Sequence, residues 1–130
     1  MLTISSALQW WAKSRADVPA LRLEDDCVTY SEWDAWVDNA AALLLAAGIK
    51  PGDRINACAA NSLEYCTLAL AAMRARAIIA PLNTRFTRHE LSEIVADHGS
   101  ALIFADASQA EKLANLGVPL RDMAEIAAVR

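Results

Sequence analysis

The residues with the most chemical reach in this sequence lie in one short segment, Pro81-Leu82-Asn83-Thr84-Arg85. Arginine is a permanent cation with a planar set of donors, which suits phosphate. Asn83 has a short amide that favours turns by bonding to nearby backbone. The competing reading is structural: Asn83 caps the turn, and Arg85 is solvated or pairs with Glu90. On residue types alone the structural reading outweighs the functional one, because a single Arg is a weak motif. Asn61, Ser62 and Glu64 form a second polar group, explained as a helix cap and a first-turn carboxylate. Glu24-Asp25-Asp26 has metal-binding residue types, but a solvated acidic turn accounts for it. Cys27, Cys58 and Cys66 are three cysteines without C-x-x-C spacing, which fits neither a zinc site nor a disulfide framework. They read as free buried thiols of a reducing cytoplasm. His89 and His98 lack a ligand pattern and are expected on helix surfaces.

The segment that must position Asn83 and Arg85 runs from Gly52 to Arg85. Ile55 to Ala59 is a short apolar run, and Asn61-Ser62 is a turn and cap. Leu63 to Arg74 is an Ala- and Leu-rich helix, and Ala77 to Leu82 is a second apolar run. Two buried strands joined by a helix make a parallel βαβ unit. Ligands of open parallel sheets bind beyond the carboxyl ends of the strands. That rule singles out the loops after Ala59, Leu82 and Ala105.

The flanking chain supplies the other elements. Ile4 to Ser14 is an amphipathic helix stopped by Asp17-Val18-Pro19. Its adjacent Trp10 and Trp11 cannot both point inward. Ala20 to Leu23 and Cys27 to Tyr30 form a short hairpin. Ser31 is expected to cap the next helix, where Trp33, Trp36, Val37, Ala40, Ala41 and Leu44 make one apolar face. Thr87-x-x-Glu90 is a capping box opening a helix over Arg88 to about Asp97, which Gly99 ends. Ala101 to Ala105 is a third apolar strand, and Asp106 to Leu116 contains a short helix. Leu120 to Arg130 reads equally as helix or as the start of another strand. The expected fold is α/β: a three-layer lobe with a largely parallel sheet of βαβ units plus a short N-terminal hairpin.

Gly52-Asp53-Arg54, Asn61-Ser62-x-Glu64-Tyr65, Pro81-Leu82-Asn83-x-Arg85 and Glu90-Leu91, with Thr29-Tyr30-Ser31-Glu32 upstream, resemble the N-terminal region of adenylate-forming acyl-CoA synthetases. The resemblance covers roughly residues 3 to 105. It implies a parent enzyme that uses ATP, Mg2+ and CoA to convert a carboxylic acid to its acyl-CoA through an acyl-adenylate. It also implies that Arg85, with Asn83 as a weaker candidate, lies near the CoA nucleotide phosphates. One departure stands out. The family usually has Gly before the second strand, where this chain has Ala75-Arg76-Ala77, so Arg76 either strains that turn or takes another path.

The family's Ser/Thr/Gly-rich phosphate loop with its Lys is absent. The four glycines are isolated, and neither G-x-x-x-x-G-K-[ST] nor G-x-G-x-x-G occurs. Residues 1–130 are therefore expected to be the N-terminal lobe, a partial domain whose partner is the rest of the synthetase chain. Alone it would be a non-catalytic scaffold with no catalytic residue, no metal and no cofactor of its own. The alternative is a free-standing α/β module for small-molecule binding or protein interaction. A net charge of −4 without a basic cluster argues against nucleic acid. No secretory signal or apolar run of membrane-spanning length is present, which gives the expectation of a soluble cytoplasmic protein. The apolar fraction of 55% exceeds that of an ordinary domain. It fits strands buried on both faces and a lobe that self-associates as a dimer through its retained contact surface.

Overall fold

Alternation along the central strands sets the layers. The structure, a computed structural model, describes residues 2–130. Strand β3 (Arg54–Cys58) pairs in parallel with β4 (Ile78–Pro81) on one side and β5 (Leu102–Ala105) on the other. Strand β6 (Leu120–Asp122) continues the sheet beside β5, giving the all-parallel order β4-β3-β5-β6. Ile55, Ala57, Leu102 and Phe104 face one core; Cys58, Ile103 and Ala105 face another. Both sheet faces are covered, so the strands read as nearly unbroken apolar runs.

The larger core packs under helices α1 (Ile4–Ser14), α2 (Tyr30–Ala46), α3 (Leu63–Arg74) and α6 (Ala124–Ala127). The smaller lies under α4 (Arg88–His98) and α5 (Ala110–Leu113). A separate antiparallel hairpin, β1 (Pro19–Leu23) with β2 (Asp26–Thr29), stands between α1 and α2 in the chain. This is the three-layer α/β arrangement with an N-terminal hairpin that the sequence leads one to expect. The undecided stretch from Leu120 to Arg130 is both alternatives in succession, a three-residue strand and then a four-residue helix.

Local chemistry explains the boundaries. The cap of helix α2 lies two residues before Ser31: Thr29 accepts from the Glu32 amide while Glu32 accepts from the Thr29 amide at 2.8 Å. This reciprocal box satisfies two free N–H groups at once, which Ser31 cannot do. Ser62, not Asn61, caps α3 by accepting from the Tyr65 amide at 3.0 Å. Thr87 and Glu90 form the expected box on α4, and Gly99 ends it in the left-handed region. Arg76 takes φ +62°, so the turn keeps a glycine-like shape under a side chain that disfavours it. Its carbonyl accepts from the Gly52 amide at 2.9 Å, which ties the entries of β3 and β4 together.

Two polar groups inside the lobe are fully engaged. Asn56, fully buried in the middle of β3, donates to the Ala80 carbonyl at 2.9 Å and to His98 Nδ1 at 2.9 Å. It accepts from the Ser100 hydroxyl. His98 is therefore a half-buried partner of the sheet rather than the surface residue expected from its helix position. Arg74 donates to Asp34 at 2.8 Å, Asp38 at 2.7 Å and Ser5 Oγ at 2.9 Å, joining α3 to α2 and α1. Such pairing offsets the cost of burying a charge on a side chain only 11% exposed.

Candidate functional site at the strand carboxyl ends

After β3 the chain crosses to β4 on one side; after β5 it crosses to β6 on the other. The adjacent strands β3 and β5 thus form a switch point, where diverging connections leave a crevice. A cleft of about 250 Å³ opens there. Ala59, Ala60, Ser62 and Glu64 line it from the β3–α3 connection, Asp106 from the end of β5, and Asp122, Met123, Ala124 and Ala127 from β6 onward.

The two aspartates of this cleft are bound to backbone. Asp106 accepts from the Ala60 amide at 2.9 Å and from the Ser108 hydroxyl at 2.6 Å. Burial pushes its carboxyl up, but bonds from Ser108, Ala60 and Gln109 together hold it below the ordinary aspartate value. Asp122 accepts from the Ala124 amide at 2.8 Å. These carboxylates staple loops to strand ends, and the rest of the cleft is four alanines with Ser62, Glu64 and Met123. Sequence reasoning named the loops after Ala59 and Ala105 but not Asp106 or Asp122. The signal available was the Asp-x-Ser turn directly after an apolar strand.

Asn83 and Arg85 lie elsewhere, beyond the carboxyl end of the edge strand β4. Asn83 Oδ1 accepts from the Arg85 amide at 2.9 Å, and the Asn83 carbonyl accepts from the Phe86 amide at 3.1 Å. This is the side-chain turn expected of Asn. Arg85 is exposed, and among the described residues its guanidinium makes no hydrogen bond or ion pair. Glu90, the partner considered from sequence, is committed to Thr87, accepting from its amide at 2.7 Å. Those bonds from Thr87 hold the Glu90 carboxyl below its ordinary value. The structure thus brings Asn83 and Arg85 together on one loop and leaves the guanidinium free. It does not bring them into the cleft.

The same loop is held from behind by a residue the sequence did not mark. Lys112 on α5 donates from Nζ to the carbonyls of Thr84 at 2.7 Å and Phe86 at 2.9 Å.

The cysteines are unpaired and differ in setting. Cys58 is buried, Cys27 is half-buried and Cys66 is exposed, so the expectation of buried thiols holds for Cys58 alone. Burial pushes the Cys58 thiol up, which leaves it a neutral core group. Among the described residues no three His, Cys, Asp or Glu side chains are grouped to hold a metal ion. No helix among the described residues is long and apolar enough to cross a membrane.

Residues 8–127 match the family described as AMP-binding enzyme. The chain belongs to that family. It is 33% identical over 108 residues to the long-chain-fatty-acid–CoA ligase FadD13 of Mycobacterium tuberculosis, a match covering 83% of this chain and 20% of that protein. Its fold superposes on the N-terminal domain of FACL13 from Mycobacterium tuberculosis with a TM-score of 0.90 and 28% identity, over 98% of this chain and 36% of that one. It superposes on O-succinylbenzoate coenzyme A synthetase (MenE) of Bacillus subtilis, solved in complex with AMP, with a TM-score of 0.85 and 27% identity. That match covers 92% of this chain and 31% of MenE. As an AMP-binding family member, the chain spans about a fifth of the length of the curated relatives it matches. Its four-stranded parallel sheet and two-stranded hairpin are those of the family's N-terminal domain.

Proposed function

We propose that this chain is the part of an ATP-dependent acyl-CoA ligase that provides scaffold and one wall of the CoA site. The parent enzyme joins a carboxylic acid to ATP, releasing pyrophosphate, and then passes the acyl group from the adenylate to the CoA thiol. Arg85 contacts the phosphates of the CoA nucleotide. Asn83 holds the turn that presents it.

One observation carries this reading: a guanidinium left free at the carboxyl end of a parallel strand, on a rigid Asx turn, in a chain of the AMP-binding family. An exposed Arg with no protein partner meets the chemical requirement for a phosphate dianion, which it can engage through two parallel N–H donors. The lobe itself is a scaffold. Its two cleft aspartates are occupied by backbone amides and burial keeps its Cys58 thiol neutral, which supports the scaffold reading.

The test is Arg85→Ala in the full-length ligase, with the two half-reactions measured separately. Acid-dependent ATP–pyrophosphate exchange should stay within about twofold of wild type, while the KM for CoA rises about tenfold, the equivalent of one charged contact. Loss confined to the exchange reaction, or no change in either half, contradicts the assignment.

A further inference from the structure

We propose that Lys112 is a positioning residue for CoA capture, acting through the Arg85 loop; this rests on the reading of Arg85 given above. The carbonyls on either side of Arg85, those of Thr84 and Phe86, both accept from the Lys112 ammonium, at 2.7 and 2.9 Å. From the other side, Asn83 Oδ1 accepts from the Arg85 amide itself at 2.9 Å. The peptide unit joining Thr84 to Arg85 is therefore held at both its carbonyl and its amide, and the unit after Phe86 at its carbonyl. The contact is reciprocated, since Arg88 at the start of α4 donates to the Glu111 carbonyl beside Lys112 at 3.1 Å. Helix α5 and the β4–α4 loop form one unit.

The chemistry favours a positioning role. Lys112 has spent its charge on two carbonyls of the loop, in a half-buried setting, so it is not itself free to reach a ligand. What it supplies is order. A loop already fixed loses less freedom when it binds, and that saving appears as affinity. Support of this kind, a second residue locking the backbone of the one that touches the ligand, is what keeps a binding geometry within tolerance.

The experiment uses the full-length ligase with CoA as the varied substrate and pyrophosphate exchange as the internal control. Lys112→Met should raise the KM for CoA three- to tenfold, leave exchange within about twofold, and speed amide hydrogen exchange at Arg85 and Phe86. Lys112→Arg, which keeps a cationic donor, should restore most of the CoA affinity. Lys112→Gln, the milder variant should the Met form be insoluble, should fall between them. The double variant with Arg85→Ala should be no worse than Arg85→Ala alone, because Lys112 acts only through that loop. If Arg85→Ala raises the KM for CoA and Lys112→Met or Lys112→Gln does not, this proposal is overturned while the reading of Arg85 stands. Equal loss in exchange and thioester formation marks Lys112 as a general structural staple and overturns it too. No effect of Arg85→Ala on CoA overturns the underlying reading, and the proposal with it.

Discussion

The indole of Trp36 donates to the carbonyl of Ile126 at 2.7 Å, across 90 residues of sequence. Trp36 is buried in the middle of α2, and Ile126 is the buried residue of α6. The bond closes the lobe, fixing its last short helix against its longest one. The Arg130 guanidinium lies 5.2 Å from the same ring and pairs with Asp26 at 2.7 Å, which draws the hairpin into the same corner.

Trp36→Phe should therefore cost about 2–3 kcal/mol, since it leaves the Ile126 carbonyl to the long 3.4 Å bond from the Val129 amide and removes ring volume. Urea denaturation of the isolated chain measures it. A change below about 0.5 kcal/mol would mean that α6 is not held by this bond.

Arg76→Gly should stabilise the lobe. Arg76 sits at φ +62°, on the surface, with its backbone in a turn closed by Gly52. The left-handed region costs an L-residue about 1–2 kcal/mol, part of which glycine returns as unfolded-state entropy. A net gain of about 0.5–1 kcal/mol is expected from the same denaturation measurement. A loss of stability would show that the Arg76 side chain makes contacts that outweigh its backbone strain.

Acid should weaken the loop between β5 and α5. The Asp106 carboxyl is raised by burial but lowered further by Ser108 and the Ala60 and Gln109 amides, for a net depression. A carboxyl depressed in the folded state contributes stability that is present above its unfolded value, about 3.9, and lost as pH falls through its folded value. Glu32 and Glu90 are shifted the same way by their cap threonines. Denaturation midpoints should fall steadily below about pH 4, with a shallower fall in Asp106→Asn. Parallel curves for the two proteins would remove Asp106 from the account.

Much of the fold was legible because its signals are local. The Thr87-x-x-Glu90 box, the glycine at the end of α4 and the apolar runs of β3, β4 and β5 each name their own structure, whereas the Thr29-x-x-Glu32 box was obscured by the neighbouring Ser31. The stretch from Leu120 to Arg130 was ambiguous for a physical reason: a three-residue strand and a one-turn helix are too short to show a period. Only their contacts with β5 and Trp36 define them. The site divides the same way. Asn83 and Arg85 could be read from residue types, but the Lys112 clamp and the Asp106 bond to Ala60 join segments far apart in sequence. His98 was misplaced on the surface for that reason too, since its partner Asn56 lies on another element.

The isolated chain should self-associate at micromolar concentration. Trp10 and Ile4 on α1 are 58% and 64% exposed, and β4 and β6 leave unpaired sheet edges. Exposed apolar surface and free edges both favour contact with another chain. Light scattering should report a dimer, and Trp10→Lys should shift it toward monomer. A stable monomer that binds no hydrophobic dye contradicts the expectation.

The most direct test of the central claim compares two thiol acceptors in the full-length ligase. Pantetheine carries the reacting thiol of CoA without the nucleotide. If Arg85 grips the nucleotide phosphates, Arg85→Ala lowers kcat/KM for CoA by about tenfold, one charged contact, and leaves that for pantetheine unchanged. Equal losses with both acceptors, or no loss with CoA, would contradict the placement of the CoA site on this lobe.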